Sequence, residues 1–281
     1  MCQQGQLYRK PLVIRGSNLL LGVLLISALP TVLHAEEPHQ SVRLTNGHWP
    51  PYMENTPPHY GMISRIVSLA FGKNDRPVTY GFFPWSRAKL LAEKGFWDGS
   101  VAWTCRPELL RYFHFSDPIV EHNYVLFYRK DKDFDWAEVE DLESNRIGLT
   151  QDYNYGDEFE EAVAAGTIST EVTTSDESNF RKLAAGRIDL FPMEPAVGIE
   201  MLKTLNLDDK ITFHTTPLQS DYLYLVLSRR VPESERYLEE FNEGLRKLRE
   251  AGRIEELINT SLPDLPTRYL EVENGDAQCG E

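Results

Sequence analysis

Residues 103 to 118 read Trp103-Thr104-Cys105-Arg106-Pro107-Glu108-Leu109-Leu110-Arg111-Tyr112-Phe113-His114-Phe115-Ser116-Asp117-Pro118, with two guanidiniums set among aromatic rings. The planar fork of a guanidinium matches a carboxylate, so such a segment suits the grip of a small anionic or zwitterionic ligand. More rings fall at the ends of predicted strands or in the loops after them: Trp49, Tyr52, Trp85, Trp103, Tyr153 and Tyr155. Ligands of open α/β sheets sit outside the carboxyl ends of the strands, which makes these rings candidates for a cleft lining. Trp49, Tyr52 and Trp103 would serve equally as packing rings, and Trp97, inside a strand run, reads as core.

Other chemistry is sparse. There is no G-x-S-x-G elbow, no glycine-rich phosphate loop, no G-x-G-x-x-G and no H-E-x-x-H. His39, His48, His59, His114, His122 and His214 are scattered without metal-ligand spacing. No carboxylate pair is singled out by an apolar setting that would tune its pKa. The expectation is a protein without metal, cofactor or catalytic group.

The elements that must position these residues alternate. Strands are predicted at 42–46, 77–83, 98–103, 124–128, 146–150, 169–173, 188–191 and 222–227. Helices are predicted at 62–70, 85–94, 157–165, 175–185, 195–205, 233–250 and 253–259, with a helical turn at 107–112. Such alternation implies α/β architecture with parallel sheets covered on both faces. Leu91-Ala92-Glu93-Lys94-Gly95-Phe96-Trp97-Asp98 and Leu183-Ala184-Ala185-Gly186-Arg187-Ile188-Asp189 share one form, a helix ending on glycine and then a strand opening on aspartate, which suggests two similar lobes.

The first 35 residues have the anatomy of a secretory signal: basic Arg9, Lys10 and Arg15, an apolar run from Leu19 to Leu29, and a small residue at Ala35. That run is shorter than the roughly 20 residues a spanning helix needs. Cleavage would remove three basic residues and no acidic ones, taking the formal charge from −14 to −17. A chain so acidic repels polyphosphate, which argues against nucleic-acid binding. In an exported compartment Cys105 and Cys279 are able to pair, but their spacing does not decide whether they do.

An ordered series of short motifs carries a family resemblance. It runs Gly61 opening a helix, Pro84-Trp85-Ser86-Arg87-Ala88, Gly95-Phe96-Trp97-Asp98-Gly99, Pro107-Glu108, Phe115-Ser116-Asp117-Pro118, Asp141-Leu142 before Ile147-Gly148, Gly186-Arg187-Ile188-Asp189 and Leu245-x-x-Leu248-x-x-x-Gly252. Over residues 40 to 262 the chain resembles the family 3 extracellular solute-binding proteins, the polar amino-acid receptors of bacterial ABC importers. The resemblance implies a two-lobed periplasmic-binding-protein fold of type II, each lobe a mostly parallel sheet flanked by helices, with two hinge crossings near Val120–Asn123 and Ser220–Tyr222. Lobe 1 would be 36–120 with 221–265, lobe 2 would be 121–220, and 266–281 would be an acidic tail.

By the same resemblance, a monomer in the periplasm would capture a small polar solute, amino-acid-like or an amine, for an inner-membrane ABC permease or a membrane sensor. The implied contacts are Trp49, Tyr52, Trp85, Trp103, Thr104, Arg106, Tyr153, Asn154 and Glu194. Glu194 stands where the family's ammonium-binding acid would be, five positions after Asp189. The position of the family's carboxylate-gripping arginine is here Leu109, which leaves Arg106 or Arg111 for that role, and Arg111 also reads as a surface residue. An exported enzyme of cyclohexadienyl-dehydratase type is the alternative on the same fold, with Glu194 or Glu108 as general acid.

Overall fold

The computed structural model describes residues 40–151, 153–265 and 279. The expected signal segment and, apart from Cys279, the expected tail lie outside the described residues.

One half of the molecule is built on β1 (Val42–Asn46), β2 (Val78–Phe82) and β3 (Gly99–Trp103), which pair in parallel with β1 in the middle. The connections are α1 (Met62–Gly72) and α2 (Trp85–Glu93). α1 buries Met62, Ile63, Ile66, Val67 and Ala70, the stripe that helical spacing requires. The other half is built on β6 (Arg146–Thr150), β7 (Ser169–Thr173) and β8 (Leu190–Met193), again parallel, with α3 (Asp157–Ala164), α4 (Asp176–Ala184) and α5 (Pro195–Leu205). These units are the parallel cores that the alternation implied.

Two antiparallel strands link the halves. β5 (Val120–Arg129) lies against β8 and against β9 (Ile211–Ser228), in a register that includes Val120 opposite Leu223 and Asn123 opposite Ser220. Beyond that point β9 leaves β5 and pairs with β3 and with the short β4 (Phe113–Phe115). One continuous strand therefore belongs to both sheets, and a single order β2-β1-β3-β9-β5-β8-β6-β7 results. The largest apolar cluster is likewise continuous, from Val42 and Phe71 through Val120 and Val125 to Phe180 and Phe191. This is the two-lobed α/β architecture of periplasmic binding proteins.

The strand at β9 extends eleven residues further toward the N-terminus than its apolar run suggests, and β5 begins four residues earlier. Both extra stretches are mostly polar, and the ladder between them supplies the pairing. The turn after β3 is a 3₁₀ helix over Pro107–Leu109. Trp97 precedes β3 instead of lying within it; its ring meets Phe83 edge-on at 5.6 Å.

The chain closes on α6 (Ser234–Glu250) and α7 (Arg253–Ser261), and α6 turns Tyr237, Phe241, Leu245 and Leu248 onto α1. The helices touch at Gly244, where an added Cβ would stand 1.9 Å from the Ala70 carbonyl oxygen. On a solvent-facing helix, glycine to alanine stabilises by roughly 1 kcal/mol. Here we expect Gly244→Ala to destabilise by about 2 kcal/mol, because overpacking dominates. Urea denaturation gives the sign directly.

Candidate functional site

The carboxyl ends of β1, β3, β6 and β8 converge with β5 on one cavity of about 270 Å³. Its wall includes Trp49, Trp85, Trp103, Thr104 and Arg106 from the first half and Tyr153 and Glu194 from the second. Each side chain is placed by a local device.

The loop after β1 folds tightly because Trp49 and Met53 exchange backbone hydrogen bonds of 2.7 and 2.9 Å. The Tyr52 carbonyl accepts from the amide of Ile63 at the start of α1, at 3.0 Å. Trp85 is the first residue of α2, and its indole lies where a side chain at position 47 would otherwise be: a Cβ on Gly47 would approach the ring to 2.2 Å. Trp103 follows a register shift in β3, with Ala102 at φ 62°, and its indole Nε1 donates to Ser100 Oγ at 2.7 Å. On the other side, Tyr153 follows β6 and its hydroxyl donates to Asp176 at 3.2 Å. Burial and the nearby Asp176 push that phenol up to about 12.

Glu194 joins β8 to α5. It is 2% exposed and caps the helix, its Oε2 accepting from the Val197 amide at 2.7 Å. Its Oε1 accepts from the Tyr52 hydroxyl at 2.6 Å, a bond that ties the first half to the second. Burial raises the carboxyl to about 7, against the pull of Tyr52 and the helix amides. Burial and the adjacent carboxylate in turn raise the Tyr52 phenol well above its ordinary value.

Two expected contacts fall elsewhere. Tyr52 is 1% exposed and reaches the site only through its hydrogen bond to Glu194, not as part of the wall. Asn154 is exposed, and its Oδ1 accepts from the Gly156 amide at 3.2 Å. Leu109 is buried with Ala92, Phe113 and Val226, so the place of an expected arginine is apolar core. Arg111 is exposed, with its guanidinium 4.4 Å from the Tyr112 ring centroid, which leaves Arg106 as the guanidinium of this segment on the wall.

The wall also holds His122 and Tyr124 of β5, together with Ala102, Met193 and Leu223. His122 stood in the sequence as one scattered histidine of a hinge strand. Alternation along an extended strand would have put it and Tyr124 on one face, the single available signal. Burial among rings pushes the His122 imidazole down to about 4, although the side chain keeps part of its surface on the cavity. Among the described residues, no group of three or more potential metal ligands comes together.

No protein-family model and no curated protein matches the chain. Solved structures do. A histidine kinase sensor domain with similarity to periplasmic binding proteins aligns at 19% identity and TM-score 0.61, covering 80% of this chain and 97% of its own. An ancestral arginine-binding protein bound to arginine aligns at 17% and 0.61, covering 80% and 99%. The second substrate-binding domain of a putative amino-acid ABC transporter from Streptococcus pneumoniae aligns at 14% and 0.63, covering 79% and 100%. At such identities the likeness is one of fold.

Proposed function

We propose that this chain is an exported solute-binding protein of the family 3 type, which captures a small polar solute, amino-acid-like or an amine, between two lobes and presents it to a membrane partner. The observation that carries this reading is the cavity itself, walled by rings and by Arg106 from one half and by Tyr153 and Glu194 from the other, with β5 and β9 running between them. A ligand touching both halves favours the form in which they are together, and no chemical step is needed. In this reading 1–35 is removed on export, 36–120 and 221–265 form one lobe, 121–220 forms the other, and the protein works as a periplasmic monomer. An inner-membrane ABC permease is the partner suggested by the transporter-domain neighbours. A membrane sensor is suggested by the kinase one. Calorimetric titration with amino acids, amines and dipeptides, with mass spectrometry of whatever ligand copurifies, tests it. Binding of any such solute supports it; no titratable and no copurifying ligand overturns it.

One observation favours a second reading. Glu194 is buried with its carboxyl near 7, as a general acid would be. Glu108 is exposed and lacks that setting. A cyclohexadienyl-dehydratase-like activity would show as turnover of prephenate or arogenate that Glu194→Gln abolishes.

A further inference from the structure

If the cavity is a ligand site, as proposed above, its wall chemistry narrows the ligand. Six rings follow one another around it. Trp103 meets Trp85 at 5.5 Å, Trp85 meets Trp49 at 6.5 Å, and Trp49 meets His122 at 5.5 Å. His122 meets Tyr124 at 5.0 Å, and Tyr124 meets Tyr153 at 6.4 Å. An ammonium near the face of a Trp or Tyr ring gains about 0.5–2 kcal/mol, Trp being the best, whereas the same negative face repels a carboxylate.

The charged groups point the same way. Glu194 is the buried acid of the wall. Arg106 is its guanidinium, and it is exposed. Burial raises the carboxyl of Asp221 on β9, with the Tyr222 amide and then the charge of Arg106 offsetting part of that rise. His122 adds no positive charge near neutral pH, and the chain as a whole is strongly acidic, with a formal charge of −14. An incoming ammonium therefore meets rings, a buried acid and an attractive field. An incoming carboxylate is repelled by the same acid and the same field, and the Arg106 guanidinium that would hold it is solvent-exposed.

We propose that the cleft takes a compact organic cation, a primary or methylated amine without an α-carboxylate, seated among the rings with its nitrogen toward Glu194. The volume of about 270 Å³ lies just under the usual range for small-molecule pockets, roughly 300–1,000 Å³, which keeps the ligand small. Such a ligand bridges the halves through Trp49, Trp85 and Trp103 on one side and Tyr153 and Glu194 on the other.

Pairs that differ by one carboxylate test this. Tyramine and tyrosine, histamine and histidine, and agmatine and arginine are titrated calorimetrically into the purified protein, with choline as a methylated cation. The expected result is that at least one amine binds 10-fold or more tightly than its amino acid. Trp103→Leu, which keeps apolar contact but loses the ring, should then weaken that amine about 10-fold, and Trp103→Phe should restore most of the loss. An amino acid that binds as tightly as the best amine overturns the inference while leaving solute capture standing. So does a sugar or dicarboxylate recovered from extract when no amine binds. If nothing binds and nothing copurifies, solute capture itself falls and the inference with it.

Discussion

Glu194→Gln is expected to lower amine affinity by about 10- to 100-fold and at the same time to make the protein more stable above pH 7. The affinity loss, read at pH 8 where the carboxyl is ionised, follows from replacing a charged acceptor with a neutral one, since hydrogen bonds to charged groups contribute about 1.5–3 kcal/mol. The stability gain follows from the pKa. The carboxyl titrates near 7 in the folded chain and near 4.5 otherwise, with burial as the cause. Below pH 4.5 it is protonated in both states and contributes nothing. Between 4.5 and 7 the folded chain keeps a proton that the unfolded chain releases, so stability declines as pH rises. Above 7 the full penalty applies, up to about 3 kcal/mol.

Glutamine escapes that penalty and still fits the geometry. Its carbonyl can accept from the Val197 amide, and its amide can donate to the Tyr52 oxygen. Urea denaturation at pH 4.5, 6 and 8 should show the variant level with the parent in acid and ahead of it in base. A variant less stable than the parent at pH 8 would sink the argument. His122 supplies a contrast of opposite sign. Its folded pKa, near 4, lies below the ordinary 6.5, so its contribution is complete above 6.5 and is lost as pH falls toward 4. In the parent the two slopes oppose each other between about 4.5 and 6.5, and Glu194→Gln should expose the acid sensitivity of His122 alone.

What the sequence shows of this site, and what it hides, divides along the range of the forces involved. α6 is legible because Tyr237, Phe241, Leu245 and Leu248 recur at helical spacing, a local property. Trp85 is legible as a helix start because Pro84 precedes it. Glu194 could be reached by counting from Asp189, yet its hydrogen bond to Tyr52 spans 142 positions and no local pattern announces it. The first half of β9 is hidden for the same reason. Ile211 to Ser220 is mostly polar and includes Pro217, and it is a strand because β5 lies alongside. His122 becomes a cavity residue through Trp49, which stands 5.5 Å away in space and far off in sequence. Leu109 looked like a vacancy in a binding motif; the structure shows it filling a small apolar cluster that a guanidinium would disrupt.

Breaking the Cys105–Cys279 disulfide should damage stability and the binding wall together. The two residues are bonded across a separation of 174 positions, with Cα atoms 5.4 Å apart. A crosslink that closes so long a loop removes much freedom from the unfolded chain, an effect of up to about 5 kcal/mol on the chain-entropy account and about 2–5 kcal/mol when native bridges are removed. At roughly 2–4 °C per kcal/mol for a domain of this size, Cys105→Ser with Cys279→Ser should lower Tm by about 5–15 °C. The site should respond because Cys105 lies between Thr104 and Arg106 on the cavity wall, in a stretch that has already left the β3 ladder. Among the described residues that stretch is also tethered by the Trp103 indole on Ser100 and by the Arg106 carbonyl, which accepts from the Leu109 amide at 2.9 Å. With one tether gone, the loosened segment must be ordered again on binding, at about 0.5–1.5 kcal/mol for each immobilised side chain, so affinity should fall by roughly 3- to 10-fold. Thermal unfolding and calorimetry of the double variant, beside the parent with and without reductant, separate the two effects. An unchanged Tm would show that the bridge constrains nothing the fold needs, and an unchanged affinity would free the Thr104–Arg106 wall from it. Because such bonds persist in oxidising compartments and are lost in reducing ones, the same chain made in a reducing cytosol should reproduce the double variant.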